Sequence, residues 1–386
     1  MDFDLSDEQR LLKDSVDRLV ADTYDFEARK RVIAEPDGWS RQNWASFAEM
    51  GLLGVPFTEE HGGFGGGAVE TMLIMEAFGR GLVVEPYLAT VVLGGGLLRH
   101  GGSGAQKNEL IPQIAAGELT LAFAQTERGS RYDLHDVSTT AKRDGAGFVL
   151  DGEKGIVLHG AGADKLLVTA RTAGSRRDRN GIGLFLVDGN AAGISRRGYP
   201  TQDGMRAAEI TFERVRVGPE NVIGDPENAL PLVERVVDEA MAALAAEAVG
   251  AMGEMHAMTV DYLKTRKQFG VPIGSFQALQ HRAADMFVAL EQARSMAYFA
   301  TMMAAEEDAA ARAPAVAAAK VQIGRSSRIV GQGAIQLHGG VGVTAEYKVG
   351  AYFKRTTVIE TMFGDADHHL TRVAEAGGVF APAAAA

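Results

Sequence analysis

A chain of 386 residues that is 46% hydrophobic and 23% charged has the composition of an ordinary globular protein and the length for two or three domains. Its formal net charge of -11, with no block of clustered Lys and Arg, argues against nucleic acid or an anionic membrane as a partner. The lack of cysteine excludes disulfides, thiolate catalysis and Cys-ligated metal; with the acidic, amphipathic start MDFDLSDEQRLLKDSV and no long uninterrupted apolar run, the chain reads as cytoplasmic.

The first third reads as helical. Ser6 ahead of Asp7, Glu8 and Gln9 is an N-cap for a helix carrying Leu11, Leu12, Val16, Leu19 and Val20 on one face, and Trp44–Leu53 and Thr71–Arg80 repeat that character. Between them, PFTEEHGGFGGG (Pro56–Gly67) lacks the Lys-Ser/Thr ending of a phosphate loop and reads as an interhelical loop. From Leu119 the pattern changes to short apolar runs (LAFAQ, FVLDGEK, DKLLVTA, IGLFLVD, EITFERVRV) separated by glycines, which is the signature of an antiparallel β module, with the charged stretch Arg171–Asn180 as a solvated hairpin loop. Helical periodicity resumes near Asn228 and continues through Ala-rich segments to about Ala376; the Gly-Gly-Val-Phe-Ala-Pro-Ala run that follows reads as frayed. The fold class is therefore α+β, with domains at 1–118 (helical), 119–227 (antiparallel β) and 228–386 (helical).

The stretch Gly331–Asp365 holds most of the chemistry. Gln336, Gly339, Gly340 and Gly342 leave a corner of little side-chain bulk where backbone N–H groups can approach an anionic or carbonyl-bearing ligand; a helix C-cap and turn is the alternative. His368 and His369 are adjacent and so diverge on a helix, which together with the missing His-Glu-x-x-His motif leaves no metal site to name. His338 and His159 read as loop or interface residues.

The Gln336-x-x-Gly339-Gly340-x-Gly342 turn, leading through Glu346-Tyr347, resembles the C-terminal region of acyl-CoA dehydrogenases, as do Pro56–Gly67 and Gly102–Glu127 in theirs, so the resemblance covers nearly the whole chain. It implies FAD as cofactor, α,β-desaturation of an acyl-CoA thioester in fatty acid degradation, electron-transfer flavoprotein as acceptor, and a C-terminal four-helix bundle. Within TRKQFG and the residues after it, Arg266, Phe269 and Gln277 match positions that bind the ADP part of FAD across a dimer interface, alongside Gln336, Gly339 and Gly340. An Arg fork suits a pyrophosphate because it donates two parallel charge-assisted bonds.

Other positions depart from the family pattern. Where the family has Thr-Glu-Pro-Gly-x-Gly-Ser-Asp, this chain has Thr126-Glu127-Arg128-Gly129-Ser130-Arg131-Tyr132-Asp133: Thr126 is retained as a flavin contact, but Tyr132 stands at the pyrophosphate Ser. Where the family has Lys-x-Trp-Ile-Thr-Asn-Gly, the chain reads Lys154-Gly155-Ile156-Val157-Leu158-His159-Gly160, without the aromatic wall or the hydroxyl. The catalytic Glu falls at Phe363, which cannot accept a proton; the alternative base on an earlier helix falls at Ala240-Met241, one residue beyond Glu239; and the Asp that helps place the thioester falls at Ala257.

Glu239 is thus the candidate substitute base, with Asp365 a second, against the plainer reading of Glu239 as a solvated helix carboxylate. These losses together point to division of labour. The chain resembles the small subunit of pimeloyl-CoA dehydrogenase-type two-component enzymes, a catalytically deficient, FAD-sharing member of a heterotetramer with a homologous large subunit. Two alternatives stay open: a self-sufficient homo-oligomeric flavoenzyme with a relocated base, and a cofactor-free scaffold or acyl-CoA-binding protein.

Overall fold

The computed structural model describes residues 5–377, so that all but the first residue of the Gly-Gly-Val-Phe-Ala-Pro-Ala run lies outside the described residues. Six helices come first: α1 (Asp7–Thr23), α2 (Phe26–Ala34), α3 (Arg41–Glu49), α4 (Ala68–Gly81), α5 (Gly95–Gly101) and α6 (Gly104–Ala115), with a π-helical segment, Leu88–Gly94, running into α5. The capping box is real: the Ser6 hydroxyl accepts from the Gln9 N–H at 3.2 Å, and the Gln9 side chain accepts from the Ser6 N–H at 3.0 Å. Of the expected apolar face, Val16 and Val20 are buried whereas Leu11 is exposed.

The strands follow as β1 (Leu121–Ala124), β2 (Thr140–Asp144), β3 (Gly147–Leu158), β4 (Lys165–Arg171), β5 (Ile182–Asp188), β6 (Ile194–Pro200), β7 (Arg206–Val217) and β8 (Val222–Ile223). They form one sheet in the order β6-β7-β3-β2-β4-β5-β8, with β1 on β4. The expectation of a wholly antiparallel module needs correction, because β1 pairs with β4 in parallel, and so does β2 at Thr140. A register shift between Lys154 and Val157 marks a bulge that leaves Ile156 at φ +53°, an unusual conformation for a β-branched residue.

The last part comprises α7 (Leu230–Thr265), a hairpin of β9 (Lys267–Gln268) and β10 (Val271–Pro272), α8 (Gln277–Ala304), α9 (Ala309–His338), α10 (Val349–Thr361) and the short α11 (Ala366–Glu375). Compactness does not follow chain order. One unit gathers the chain up to Lys30, Ala68–Val83 and everything from Met241; the other gathers Arg31–Gly67 and Val84–Ala240, so the division falls within α7. In the first unit α4 and α7 touch backbone to backbone. A Cβ on Gly79 would stand 1.9 Å from the Glu247 carbonyl oxygen and one on Gly250 1.9 Å from that of Glu76, so no larger residue fits at the crossing. In the second, apolar side chains from one face of the sheet make a core: alternate residues Leu166, Val168 and Ala170 of β4 lie beside Phe185 and Val187 of β5, with Phe148 and Phe212 in the same cluster.

Candidate functional site

Six of the expected cofactor residues gather at one end of the first unit. The α7 helix ends by placing Tyr262 against His338, the last residue of α9, with ring centroids 4.6 Å apart, and Tyr347 packs on the other contact of His338 at 5.0 Å. Arg266 lies one turn past Tyr262 and exposes its side chain, which makes no hydrogen bond or ion pair among the described residues. Phe269, at the tip of the β9–β10 hairpin, is 91% exposed and held at φ +55° next to Gly270 at φ +84°, the turn a two-residue hairpin requires. Its ring meets Phe276 edge-on, immediately before Gln277 opens α8 with an exposed side chain.

At the end of α9, Gln336, Gly339 and Gly340 are exposed. The chain turns through Gly339 at φ +59° into a 3-10 turn, Gly339–Val343. The three glycines of this turn are not equivalent. A Cβ on Gly342 would lie 2.8 Å from the Ile335 carbonyl, so packing within the chain demands that glycine; a Cβ on Gly339 or Gly340 meets nothing within 4 Å. Gly340 therefore has neither an intrachain contact nor a left-handed backbone to explain it.

His338, expected in a loop or interface, is the last helical residue of α9 and is buried within the chain. Its Nδ1–H donates to the Ala334 carbonyl at 2.8 Å, its Nε2 is buried without a hydrogen-bond partner among the described residues, and burial lowers its pKa, leaving it neutral. An unpaired cation, open glycines and an exposed ring leave this corner accessible to an anionic group from outside the chain.

The seventh expected residue, Thr126, belongs to the second unit. It follows β1 with its side chain half-buried, and its carbonyl accepts from the Gly155 N–H at 2.8 Å. Two residues that sequence reasoning quoted without pairing fix this arrangement: the Lys154 ammonium, fully buried, donates to Glu127 at 2.8 Å, to the Gln125 carbonyl at 3.1 Å and to Thr169 at 3.1 Å. Glu127 also accepts from the Ser138 and Thr139 N–H groups. Burial alone would raise the Glu127 carboxyl; the Lys154 charge and these hydrogen bonds outweigh it and hold the group well below the usual range. The pair locks Thr126 to the Gly155–Ile156 bulge as backbone, while Ile156, 61% exposed, offers neither an aromatic face nor a donor. His159, also expected in a loop or interface, is buried beside a cleft of about 350 Å³ whose Arg206 is committed to the carbonyls of Ile33 and Glu35.

The candidate bases are all occupied. Glu239 is not a solvated helix carboxylate: it accepts from Arg99 at 2.6 Å and His100 at 2.7 Å, with Arg235 at 3.7 Å. Burial would raise its pKa, but the His100 hydrogen bond and the Arg99 and Arg235 charges hold it below the usual range, which makes it a poor proton acceptor. Asp365 caps α11 by accepting from the His368 N–H at 2.9 Å.

Phe363, at the expected base position, sits in the turn between α10 and α11 at φ +56° and is half-buried. Sequence reasoning missed what holds that turn. Lys320, 2% exposed in the Ala-rich helix α9, donates to the carbonyls of Ile359 (2.8 Å), Glu360 (3.3 Å) and Met362 (3.0 Å), and the His369 Nε2–H donates to that of Phe363 at 3.0 Å. Among the described residues, no group of three or more His, Asp or Glu is arranged to hold a metal ion, and no helix is long and apolar enough to cross a membrane.

Three family models cover the chain in sequence: the acyl-CoA dehydrogenase N-terminal domain matches residues 6–118, the middle domain 122–215 and the C-terminal domain 231–378. The chain belongs to the acyl-CoA dehydrogenase family. Family members are oxidoreductases acting on CH–CH groups, and the helical, β, helical order above is the family's fold. The probable acyl-CoA dehydrogenase YngJ of Bacillus subtilis is 30% identical over 371 residues, covering 93% of this chain and 95% of its own. Among solved structures, the ChsE4-ChsE5 complex from Mycobacterium tuberculosis superposes with a TM-score of 0.87 at 26% identity, over 97% of this chain and 98% of that one. The FAD complex of PigA gives a TM-score of 0.90 at 25% identity, over 97% and 98%.

Proposed function

We propose that this acyl-CoA dehydrogenase family chain binds FAD at a shared site and works as the catalytically deficient subunit of a heterotetramer with a homologous, base-bearing subunit. The observation that carries the reading is a contrast inside one chain: the corner at Arg266, Gly339 and Gly340 is open, while Phe363 stands at the family's base position and both substitute carboxylates, Glu239 and Asp365, are engaged.

In this reading Arg266 would hold the FAD diphosphate, Gly339 and Gly340 would let backbone N–H groups approach it, and Gln336, Gln277 and Phe269 would contact the nucleotide. Thr126, positioned by the Glu127–Lys154 pair, contributes to a flavin pocket formed mainly by backbone. Bound FAD would supply the hydride acceptor that oxidation of an acyl-CoA thioester requires. Phe363 can accept no proton, so the α-proton is removed by a carboxylate of the homologous subunit; absence of a general base costs about 10²–10⁴ in rate. Phe269 at 91% exposure and Val343 at 75% give the corner an apolar rim of the kind that partner subunits cover. That a similar solved structure is the ChsE4-ChsE5 complex supports the assembly. The resemblance to pimeloyl-CoA dehydrogenase-type small subunits, electron-transfer flavoprotein as acceptor and a cytoplasmic setting belong to the same proposal.

The test is FAD stoichiometry and acyl-CoA-driven bleaching of flavin absorbance, for the chain alone and co-expressed with a homologous large subunit. Bleaching in the mixed complex only, abolished by Arg266→Ala in this chain, is the expected result. Full occupancy and bleaching by the lone chain overturns the shared-site reading in favour of a self-sufficient enzyme; no flavin in either sample leaves a scaffold.

A further inference from the structure

Glu85, in the second unit just before Pro86 and the π-helical segment Leu88–Gly94, is 3% exposed and has no cation beside it among the described residues. Its Oε1 accepts from the Ser40 N–H and from the Asn43 side-chain amide, both at 3.2 Å, so one oxygen fastens the N-cap and the third residue of α3 to this segment. Its Oε2 is buried with no hydrogen-bond partner among the described residues. The arrangement suits a neutral acid, in which the carbonyl at Oε1 takes both donors and Oε2 carries the proton; ionised, half of a buried charge would lack a donor. The charged groups of the surrounding elements are committed elsewhere. On α3, Arg41 is exposed and pairs with Asp37 at 3.0 Å, and Glu49 is exposed. Tyr87 donates to the Leu52 carbonyl at 3.3 Å, and Arg99 and His100 of α5 hold Glu239. Burial therefore pushes the Glu85 carboxyl up to about 7, opposed by the N–H groups of Glu85, Ser40 and Val84.

The start of α3 is held by two clamps of different kind. On one side the Arg206 guanidinium donates to the carbonyls of Ile33 at 2.9 Å and Glu35 at 2.7 Å, and a Cβ on Gly38 would stand 2.5 Å from its Nε. Arginine is not deprotonated in proteins, so that clamp does not titrate. On the other side the clamp is Glu85, which does. Between them lies Trp39, which walls the cleft of about 350 Å³ together with Pro36, His159, Tyr199 and Pro200. Further along α3 the Trp44 Nε1–H donates to the Gly117 carbonyl at 3.1 Å and Phe47 is fully buried, so the body of the helix is anchored independently of Glu85.

We propose that Glu85 is a proton-operated latch: as the neutral acid it holds Ser40 and Asn43, and on ionising it releases them, freeing the first turn of α3 and the Trp39 wall of the cleft. The latch answers to the proton alone, so it stands apart from the flavin reading. Its sign follows from the two protonation equilibria. Open, Glu85 meets water and titrates at its ordinary 4.5; closed, it titrates at about 7. Between these values the closed form holds the extra proton, so opening becomes more favourable with rising pH, by about tenfold per pH unit, and levels off above about 7. A buried neutral histidine such as His159, beside the same wall, gives the opposite trend, because burial disfavours its charged, low-pH form.

The experiment follows amide hydrogen exchange of Ser40 and Asn43 in the full chain from about pH 5 to 8, corrected for intrinsic exchange, in the wild type, Glu85→Gln and His159→Gln. The wild type should lose protection at both amides by about tenfold per pH unit up to about 7 and then level, while the amides of β4 keep theirs. Glu85→Gln, a neutral isostere that keeps the Oε1 acceptor, should stay flat at the low-pH level, and His159→Gln should follow the wild type. A slope that survives in Glu85→Gln, or vanishes in His159→Gln, assigns the titration to another group and overturns the latch. Wild-type protection that is flat or rises with pH overturns it as well. Should Glu85→Gln fail to fold, the wild type and His159→Gln decide the matter by themselves, because the sign of the trend separates a buried acid from a buried histidine.

Discussion

Helix α9 serves two turns that are built on opposite principles. Along its length Lys320 reaches the Phe363 turn, where the carbonyls of Ile359, Glu360, Met362 and Phe363 all find donors inside the chain. At its end the Gly339–Gly340 corner leaves, among the described residues, an imidazole nitrogen orphaned and the nearby Arg266 unpaired. Both turns carry left-handed backbone, at Phe363 and at Gly339. The difference is that the first is satisfied by its own chain and the second is not, which separates scaffold from binding surface without reference to what binds.

The comparison breaks first if the scaffold side is less essential than its hydrogen bonds imply. Arg355, in α10, makes a bidentate pair with Glu247, Nε to Oε1 at 2.6 Å and Nη2 to Oε2 at 2.7 Å, with both side chains about 5% exposed or less. Arg355→Met leaves a buried carboxylate alone and should cost about 3–5 kcal/mol, read as a loss of denaturation midpoint at unchanged m-value. Lys320→Met comes next, at about 2–4 kcal/mol, because it strips three carbonyls of their donor.

That second cost is pH-dependent, and its sign is fixed. Burial pushes the Lys320 ammonium down to about 7, against the opposing charges of Glu360 and Asp365, from an ordinary 10.5 in the unfolded chain. Between these values the unfolded chain holds the extra proton, so the Lys320 contribution to stability grows with rising pH, and the gap between wild type and Lys320→Met should widen from pH 7 to 10.5. His369 follows the same rule lower down. Burial, with the neighbouring Lys320, Arg372 and His368 charges, pushes it to about 3 from 6.5, so its share of stability is lost as pH falls through that window. A gap that narrows with pH would mean that Lys320 stays an ammonium and that its three carbonyls outweigh burial.

Much of this was legible beforehand, and the misses share a cause. The Ser6 cap, the switch from helical to strand period near Leu121 and the Gly339–Gly340 corner are local patterns, written within a few residues. Lys320 is not: in AAAKVQIG it looks like a solvated helix lysine, and only the fold brings the end of α10 to it. The same holds for Arg171, which heads the loop expected to be solvated but is 7% exposed and donates to the Asp178 and Asn180 carbonyls at 2.8 Å, and for the parallel pairing of β1, whose partner β4 lies beyond two intervening strands. Glu239 was misplaced for a related reason, since its burial depends on Arg99 and His100 of α5. What sequence pattern conveys is periodicity and punctuation; which buried charge meets which carbonyl is settled by tertiary approach.

The finest test sets glycine against glycine in one turn. Gly342→Ala drives a Cβ to 2.8 Å from the Ile335 carbonyl and should cost about 1–3 kcal/mol with no specific effect on ligand. Gly340→Ala enters open space on an ordinary backbone and should leave stability within about 0.5 kcal/mol, as should Arg266→Ala on its exposed side chain. Their effect should appear elsewhere: co-expressed with a large subunit, both variants should lose FAD by about tenfold or more, Arg266→Ala by removing a charged fork and Gly340→Ala by blocking backbone approach. Because a Cβ at Gly340 meets nothing within 4 Å among the described residues, flavin loss at unchanged stability and unchanged subunit assembly points to a ligand at that corner. If Gly340→Ala keeps both its stability and its flavin, the open corner is only a turn, and the distinction between satisfied and waiting surfaces fails where it was drawn most sharply.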